Sequence, residues 1–197
     1  MIKKSIPAGI AIAIACTVSL SVGGGMQGAF LFSIGLLAVC VMGYALFTGK
    51  VCYAEPTGES IKSIAVILAG NLAATILTGL VMRAVKPELI GPAADLCAKK
   101  LQESWRVIPL GLFCNILIFF AVDGFRHEDR KNTVSAALML VLCVMVFILA
   151  GFEHSIANSY YLALGGYLQK PAAWGYLAMN IAGNTVGGVA AYRITKT

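Results

Sequence analysis

Long apolar stretches alternate with short charged connections along the chain of 197 residues. An α-helix needs about 20 residues to cross the hydrocarbon core of a bilayer. The fourth stretch is short for this purpose unless Arg106 extends its side chain to the interface. The pattern predicts an all-α polytopic membrane protein with six transmembrane helices. The six stretches cover approximately residues 5–22, 28–48, 62–83, 106–123, 132–164 and 170–193.

The composition agrees with a membrane location. Hydrophobic residues make up 59% of the chain and charged residues 12%, and the mean hydropathy is +0.84, whereas soluble domains carry about 25% charged residues. The net charge of +6 comes from loop residues, and no basic run is interleaved with aromatic side chains. We therefore expect no nucleic-acid partner. Lys3 and Lys4 before the first apolar stretch are typical of a signal peptide, but the later spans favour an uncleaved first helix.

Few residues could support enzyme chemistry. None of the six cysteines has C-x-x-C spacing, and four lie in apolar stretches, where cysteine acts as a small hydrophobic residue. The two histidines are His127, in a charged connection, and His154. We expect no metal, cofactor or disulfide, and we predict that the chain is not an enzyme. An intramembrane enzyme and a structural membrane scaffold remain as remote alternatives.

The basic residues predict an orientation. An even number of spans places both termini on one side, which would carry nine basic residues against six on the other. The positive-inside rule therefore predicts cytoplasmic termini in a cell inner (plasma) membrane. The connection between the third and fourth spans, which would be translocated, is unusually rich in charge.

Three short sequence matches indicate an internal repeat. Their offsets are 102, 103 and 113 residues, they occur in the same order, and each falls in a different span. They predict two three-helix repeats, at about residues 5–82 and 106–193, and an odd number of spans makes the repeats inverted in the membrane. The matches are residues 6–9 with 108–111, 39–42 with 142–145, and 69–71 with 182–184.

Polar residues interrupt two of the predicted spans. The second contains Leu46-Phe47-Thr48-Gly49-Lys50 and the fifth Gly151-Phe152-Glu153-His154-Ser155. Non-helical backbone at membrane depth needs hydrogen-bonding partners, and ionisable residues there indicate a functional site. The sequence therefore predicts broken second and fifth helices, which meet at a midplane permeation site.

Four motifs together resemble the formate/nitrite transporter family of pentameric anion channels, and the resemblance covers nearly the whole chain. It implies an aquaporin-like protomer with its own pore, assembly into a homopentamer in the lipid bilayer, and passage of small monovalent anions and protons. The motifs are Gly151-Phe-Glu-His-Ser-Ile-Ala-Asn158, Leu46-Phe-Thr-Gly49, Gly111-Leu-Phe-Cys-Asn115, and Gly183-Asn184 with Gly187-Gly188.

The resemblance also implies a substrate pathway. Thr48 and His154 would face each other at the pore centre, with Leu46, Phe47 and Glu153 from the same motifs beside them.

Flanking residues follow by counting along the motifs. Phe32 and Leu36 match one apolar constriction and Phe147 the other. Lys99 matches a vestibule lysine of the family, with Lys100 as a near alternative, which would explain the basic connection.

The asparagines and Glu153 have two possible roles. Asn115 and Asn184 could line the pathway, although asparagines in spans more often form hydrogen bonds between helices, as Asn71 and Asn158 would. Glu153 could instead cap the backbone amides of the helix break.

Two hypotheses describe how an anion would pass. An anion must lose its hydration at an apolar constriction, which is prohibitively unfavourable for an isolated charge. In the first hypothesis, neutral His154 is polarised by Glu153 and donates a proton to a weak-acid anion, because imidazole ordinarily titrates near neutral pH. In the second, Lys99 acidifies the anion and His154 only binds it. A histidine that merely joins the broken helix to Thr48 is the structural alternative.

The predicted function is a channel or transporter for small monovalent anions, with formate first. Nitrite, hydrosulfide, and acetate or lactate are alternatives within the family. The chain departs from the family in two places: few residues precede the first span, where longer members carry an amphipathic gating helix, and Lys50 replaces a residue that is polar in many members.

Overall fold

The computed structural model describes residues 1–125 and 133–196. This part of the chain is helical and contains no strand. The predicted charged connection at residues 126–131, including His127, lies outside the described residues. The helices are α1 (Ile2–Ser21), α2 (Gly25–Val41), α3 (Phe47–Val51), α4 (Gly58–Val85), α5 (Ile90–Gln102), α6 (Val107–Asp123), α7 (Thr133–Leu149), α8 (Ser155–Leu164) and α9 (Pro171–Thr195).

The helices reproduce the apolar stretches of the sequence. In the described part of the chain, three helical segments are long and apolar enough to cross a membrane: α1, α4, and the stretch Ser104–Asp123 that contains α6. The apolar helices α2 and α7 are shorter. Each is followed by a short non-helical segment and a second helix, so α2 with α3 and α7 with α8 form the two broken spans. The prediction of broken second and fifth helices is confirmed.

Apolar side chains face outward, and amides lie inside. Ile6, Ile10 and Ile14 of α1 recur every four residues, and all three are exposed. Asn71, Asn115, Asn180 and Asn184 are fully buried. Lipid or neighbouring subunits cover apolar outer faces of this kind, whereas buried amides need partners within the protein.

A glycine and an asparagine produce each helix break. Gly43 and Gly151 have φ angles of +65° and +71°, which glycine adopts without the strain that a Cβ causes. The new helix then begins with its first N–H bonded to an amide oxygen: Phe47 N to Asn71 Oδ1 at 2.7 Å, and Ser155 N to Asn184 Oδ1 at 2.9 Å. This satisfies a backbone donor that would otherwise be unpaired at a helix start.

The first break differs in position from the prediction, whereas the second agrees with it. The sequence predicted the first break at residues 46–50, but the non-helical residues are 42–46, and Thr48, Gly49 and Lys50 belong to α3. The prediction was wrong because it used Gly49 as the breaking glycine, and the residue with positive φ is Gly43. The second break occupies residues 150–154, where it was expected.

Matching hydrogen bonds relate the two halves of the chain. In each half an asparagine joins the helix break to the first helix of that half, and the offsets of these bonds are 106, 108 and 113 residues. The sequence matches in the first and second spans had offsets of 102 and 103 residues, which are four and five residues smaller than the offsets of the corresponding hydrogen bonds. The match of Asn71 with Asn184 has the same offset, 113 residues, in the sequence and in the hydrogen bonds. The bonds are Ala45 N to Lys4 O and Glu153 N to Leu110 O, Asn71 Nδ2 to Ser5 O and Ala45 O, and Asn184 Nδ2 to Gly111 O and Glu153 O.

The packing follows the same relation. Helix α1 packs against α2 and α4, and α6 packs against α7 and α9. Helix α8 packs on α4, as α3 packs on α9. On this ground we propose that residues 5–82 and 106–193 are two inverted repeats.

Candidate functional site

The two broken spans bring Thr48 and His154 into contact. Thr48 lies in the first turn of α3, and His154 is the residue immediately before α8. Thr48 Oγ1 is 3.0 Å from His154 Nε2, and both side chains are buried. The structure therefore joins the central pair that the sequence resemblance implied.

The second ring nitrogen of His154 determines the tautomer. His154 Nδ1 accepts the backbone N–H of Ala157 at 3.1 Å and thereby caps α8. A nitrogen that accepts a hydrogen bond carries no hydrogen, so the hydrogen of the neutral ring is on Nε2. His154 is thus both a helix cap and a donor that points at Thr48.

Glu153 is bound by a lysine and an asparagine. Glu153 Oε2 accepts hydrogen bonds from Lys100 Nζ and, at 2.8 Å, from Asn158 Nδ2. The Lys100 and Glu153 side chains are only 17% and 8% exposed, so each charge stabilises the other in a site with little water. Among the described residues, the partners of the Glu153 carboxylate are Lys100, Asn158 and the Tyr176 hydroxyl, so the predicted polarisation of His154 by Glu153 has no hydrogen bond to support it.

The lysine that reaches the centre is Lys100. Both candidate lysines lie in the last turn of α5, but Lys99 is exposed and Lys100 is half-buried. Adjacent helix residues point about 100° apart, so only one of the two can face α8, against which α5 packs. Lys100, which the sequence analysis gave as the alternative to Lys99, is thus the lysine in contact with Glu153.

The two predicted pathway asparagines have different environments. The side-chain amide of Asn184 forms hydrogen bonds around the second helix break: Nδ2 donates to Gly111 O and Glu153 O, and Oδ1 accepts from Ser155 N. Asn115 donates from Nδ2 to Thr48 O at 3.0 Å, while its buried Oδ1 has no hydrogen-bond partner among the described residues. Asn184 therefore positions the break, and Asn115 places an available acceptor beside Thr48.

The sequence analysis did not identify two members of this network, Tyr176 and Asn180. Asn158 Nδ2 also donates to Asn180 Oδ1 at 2.6 Å and to Tyr176 Oη at 3.2 Å, and Asn180 Nδ2 donates to Glu153 O at 2.8 Å. The signal was their spacing: Tyr176, Asn180 and Asn184 recur every four residues, which places them on one face of α9.

Two phenylalanines lie next to the central pair. The rings of Phe32 and Phe147 meet edge to face with centroids 6.1 Å apart, and the Phe147 ring stacks on the His154 ring at 6.0 Å. Phe32 is thus in contact with Phe147, whereas the sequence analysis assigned Phe32 and Leu36 to one apolar constriction and Phe147 to the other.

Leu36 and Leu46 line a separate cavity of about 190 Å³. Phe47 packs in the hydrophobic core, so its backbone N–H, bound to Asn71, is its contribution to the break.

Comparison with known proteins agrees with this fold. The model of the family described as "Formate/nitrite transporter" matches residues 1–196. The structure superimposes on a pentameric formate channel with formate bound with a TM-score of 0.84 and 25% identity, covering 98% of this chain and 93% of that one. An ion channel of the same family shares the fold at a TM-score of 0.84 and 21% identity, covering 99% of this chain and 88% of that one.

Relatives found by sequence comparison are also named as formate channels or transporters. The formate channel FocA of Haemophilus influenzae is 23% identical over 166 residues, which are 76% of this chain and 58% of FocA. The probable formate transporter of Methanothermobacter thermautotrophicus is 27% identical, covering 80% of this chain and 68% of the relative. The chain spans a little over half the length of the FocA proteins that it matches. It is a multi-pass membrane protein, and it belongs to the formate/nitrite transporter family.

Proposed function

We propose that the chain is a membrane channel for small monovalent anions, with formate as the first substrate. The observation that carries the proposal is the contact between Thr48 Oγ1 and His154 Nε2 at the junction of two broken helices. An N–H donor buried beside an apolar ring pair can replace part of the hydration that an anion loses there. The matched relatives, which are named as formate channels and transporters, support the same conclusion.

His154 binds the anion through Nε2–H and keeps that proton. Loss of the proton from a neutral ring would leave an imidazolate, and a protonated ring would need a hydrogen on Nδ1, which accepts the Ala157 N–H. The geometry thus favours the second hypothesis of the sequence analysis, in which the histidine binds and a vestibule lysine promotes protonation of the weak acid.

Lys100 takes the part assigned to Lys99 in that hypothesis. Its ammonium attracts anions towards the pore, and the Glu153 carboxylate holds it in place. An anion that arrives meets first a cation and then the phenylalanine pair, where the neutral acid crosses at a lower free energy than the charged form.

The substrate class is set by this combination of charge and apolar restriction. Formate, nitrite, hydrosulfide and the larger acetate or lactate all form neutral weak acids. The names of the relatives support formate as the first substrate, and one from Toxoplasma gondii is named formate-nitrite transporter 2.

The protein acts as a homopentamer with its termini in the cytoplasm, in a cell inner membrane. The exposed apolar outer faces and the solved pentameric relative support the assembly, and the excess of basic residues on one side supports the orientation. The protein is not an enzyme on this proposal, since the matched relatives are named as channels or transporters.

Formate flux into proteoliposomes, followed by stopped-flow pH measurement, tests the proposal. We expect saturable flux from the wild-type protein and its loss in His154→Phe, which keeps an aromatic ring without the donor. Gel filtration must show the same assembly for both proteins. An assembled wild-type protein that carries neither formate nor nitrite would refute the proposal.

A further inference from the structure

A small cavity near the C-terminal end of α4 contains a guanidinium group without an anionic partner. Its volume is about 110 Å³. In the described part of the chain, Arg83 donates a hydrogen bond to the Leu164 carbonyl, and no carboxylate forms an ion pair with it. A guanidinium has five N–H donors, so most of them remain available to a ligand. The cavity is lined by Leu80, Arg83, Ala163, Gly166, Leu168 and Gln169.

Two contacts hold the Arg83 side chain in place. Nη1 donates at 2.8 Å to the carbonyl of Leu164, the last residue of α8. The guanidinium also packs directly on the backbone of Gly166, where a Cβ would lie only 2.9 Å from Nη1 and 3.2 Å from Cζ. A cation at the C-terminal end of a helix is favoured by the helix dipole. The charge is therefore fixed at the wall of the cavity, between α4 and the end of α8.

The cavity lies at the depth of the lipid headgroups. Residues 63–82 of α4 carry no charge, and Arg83 follows them directly. At 1.5 Å per residue this stretch rises about 30 Å, which is the thickness of the hydrocarbon core of a bilayer. Exposed Trp174 donates its indole hydrogen at 2.8 Å to the carbonyl of Leu168, a residue of the cavity wall. Tryptophan is enriched where the hydrocarbon meets the headgroups, so both observations place the cavity at that boundary.

An apolar face of α4 leads from the cavity towards the middle of the membrane. Leu80 lines the cavity, and Leu77 lies three residues before it, on the same side of the helix. Both side chains are exposed, as is that of Val81. An unpaired cation at the headgroup level, followed by exposed leucines at the hydrocarbon level, matches a molecule with an anionic head and an apolar chain.

The charges on this side of the protein favour a lipid over a second copy of the chain as the occupant. Residues 83–106 contain five basic and three acidic residues. Two of the acidic residues, Glu88 and Glu103, are already paired with Lys86 and Arg106. Another subunit would therefore bring a net positive surface to Arg83, whereas a phosphate brings the opposite charge.

We infer that this cavity binds the phosphate of an anionic phospholipid, with Arg83 as its ligand and an acyl chain along Leu80 and Leu77. The planar guanidinium donates two parallel hydrogen bonds to phosphate oxygens, which is the geometry that arginine adopts with phosphates. The site is separate from the Thr48 and His154 pair, and it does not depend on which anion permeates. Because Arg83 also holds the C-terminal end of α8, the lipid joins the helix that begins after His154 to the membrane interface.

Lipid retention and thermal unfolding of the assembled protein test the inference. The delipidated protein in a non-ionic detergent is mixed with phosphatidylglycerol, phosphatidylcholine or inorganic phosphate. Native mass spectrometry then counts the bound lipids, and a melting curve gives the stabilisation. A ligand that binds only the folded protein raises the melting temperature. We expect phosphatidylglycerol to be retained and to raise the melting temperature more than zwitterionic phosphatidylcholine does, and phosphate alone to have little effect.

Two substitutions in the cavity should weaken the binding of phosphatidylglycerol. Arg83→Gln removes the charge but keeps an amide that can donate to the Leu164 carbonyl, and we expect the affinity to fall about tenfold. Gln169→Glu adds a carboxylate to the cavity wall at an exposed position, with almost no change in volume, and should also lower the affinity.

Each substitution has a matched control. Arg106→Gln removes an exposed arginine that is already paired with Glu103. Gln27→Glu adds a carboxylate at an exposed glutamine that does not line the cavity. Both control proteins should bind phosphatidylglycerol as the wild type does.

Equal retention of phosphatidylglycerol by the wild type, Arg83→Gln and Gln169→Glu would overturn the inference. Equal stabilisation by phosphatidylcholine, or by phosphate alone, would also overturn it, because the site would then not select an anionic lipid. A wild-type assembly that retains no lipid, while Arg83→Gln separates into protomers, would identify a second copy of the chain as the occupant. If Arg83→Gln does not fold, Gln169→Glu and its control decide.

Discussion

His154 Nε2 lies 3.0 Å from Thr48 Oγ1, although 106 residues separate the two in the chain. Each comes from the beginning of a half-helix, and an asparagine holds each half-helix in place. The contact is therefore a consequence of two helix breaks that face each other.

The hydroxyl of Thr48 can be tested with an isosteric change. Thr48→Val keeps the volume and removes the partner of His154 Nε2, so we expect formate flux to fall about tenfold, which corresponds to about 1.4 kcal/mol, the order of one net hydrogen bond. Stopped-flow flux in proteoliposomes measures the loss. Thr78→Val is the control, since within the described part of the chain the Thr78 hydroxyl donates to the carbonyl of Ala74 and does not contact the central pair. Equal flux in the Thr48 and Thr78 variants would contradict a role for the hydroxyl.

Replacement of Lys100 should reduce stability and formate flux much more than replacement of Lys99. Lys100→Met leaves the buried Glu153 carboxylate without its cation, which destabilises the protein by about 3 kcal/mol, and it removes the charge that attracts anions. Lys99→Met should change the melting temperature and the flux little. Thermal unfolding in detergent and formate flux measure both effects. The double variant Lys100→Met/Glu153→Gln should regain part of the stability but not the flux, and a larger loss from Lys99→Met would contradict this assignment.

Phe147 should restrict the size of the anion. Phe147→Ala removes a ring that contacts both Phe32 and His154, so we expect acetate flux to rise relative to formate flux, on the order of tenfold. Competition between the two anions in the same liposomes gives the ratio. Phe113→Ala is the control, because the Phe113 ring is exposed and stacks on Phe152. An unchanged ratio would place the selective constriction elsewhere.

Asn71 and Asn184 should be equally important for stability. Replacing either by Ala leaves the first N–H of a half-helix unpaired in the interior, and we expect a loss of about 2 kcal/mol for each. The melting temperature of the purified protein measures it. Gln27→Ala removes an exposed amide and should have almost no effect. A stable Asn184→Ala protein with normal flux would show that the break does not depend on its cap.

The left-handed backbone at Gly151 gives a further test. Gly151→Ala places a Cβ on a residue with φ of +71° and should destabilise the break by about 1 kcal/mol. Gly175→Ala adds the same methyl group within α9, where nothing lies within 4 Å, and should be neutral or stabilising. Comparison of the two melting temperatures checks the prediction, and equal values would be evidence against a strained position.

The sequence by itself determined the apolar spans and the second break. Whether a segment crosses a bilayer depends on its length and its summed hydrophobicity, which are local properties. The residues 151–155 carry a glycine, a carboxylate and an imidazole within one span, so the second break was visible without a structure. The pairing of Thr48 with His154 followed from the family resemblance, because those motifs are specific in combination.

The tertiary structure decided which polar groups meet. Lys99 and Lys100 are equivalent in composition and hydropathy, and only the packing of α5 against α8 turns Lys100 towards Glu153. Gly43 and Gly49 are both glycines near the end of an apolar span, and the one that breaks the helix is identified by the cap that Asn71 supplies from α4. Contacts between distant residues depend on helix rotation and register, and a shift of four residues along a helix changes the contacts while it leaves the hydrophobic pattern nearly unchanged.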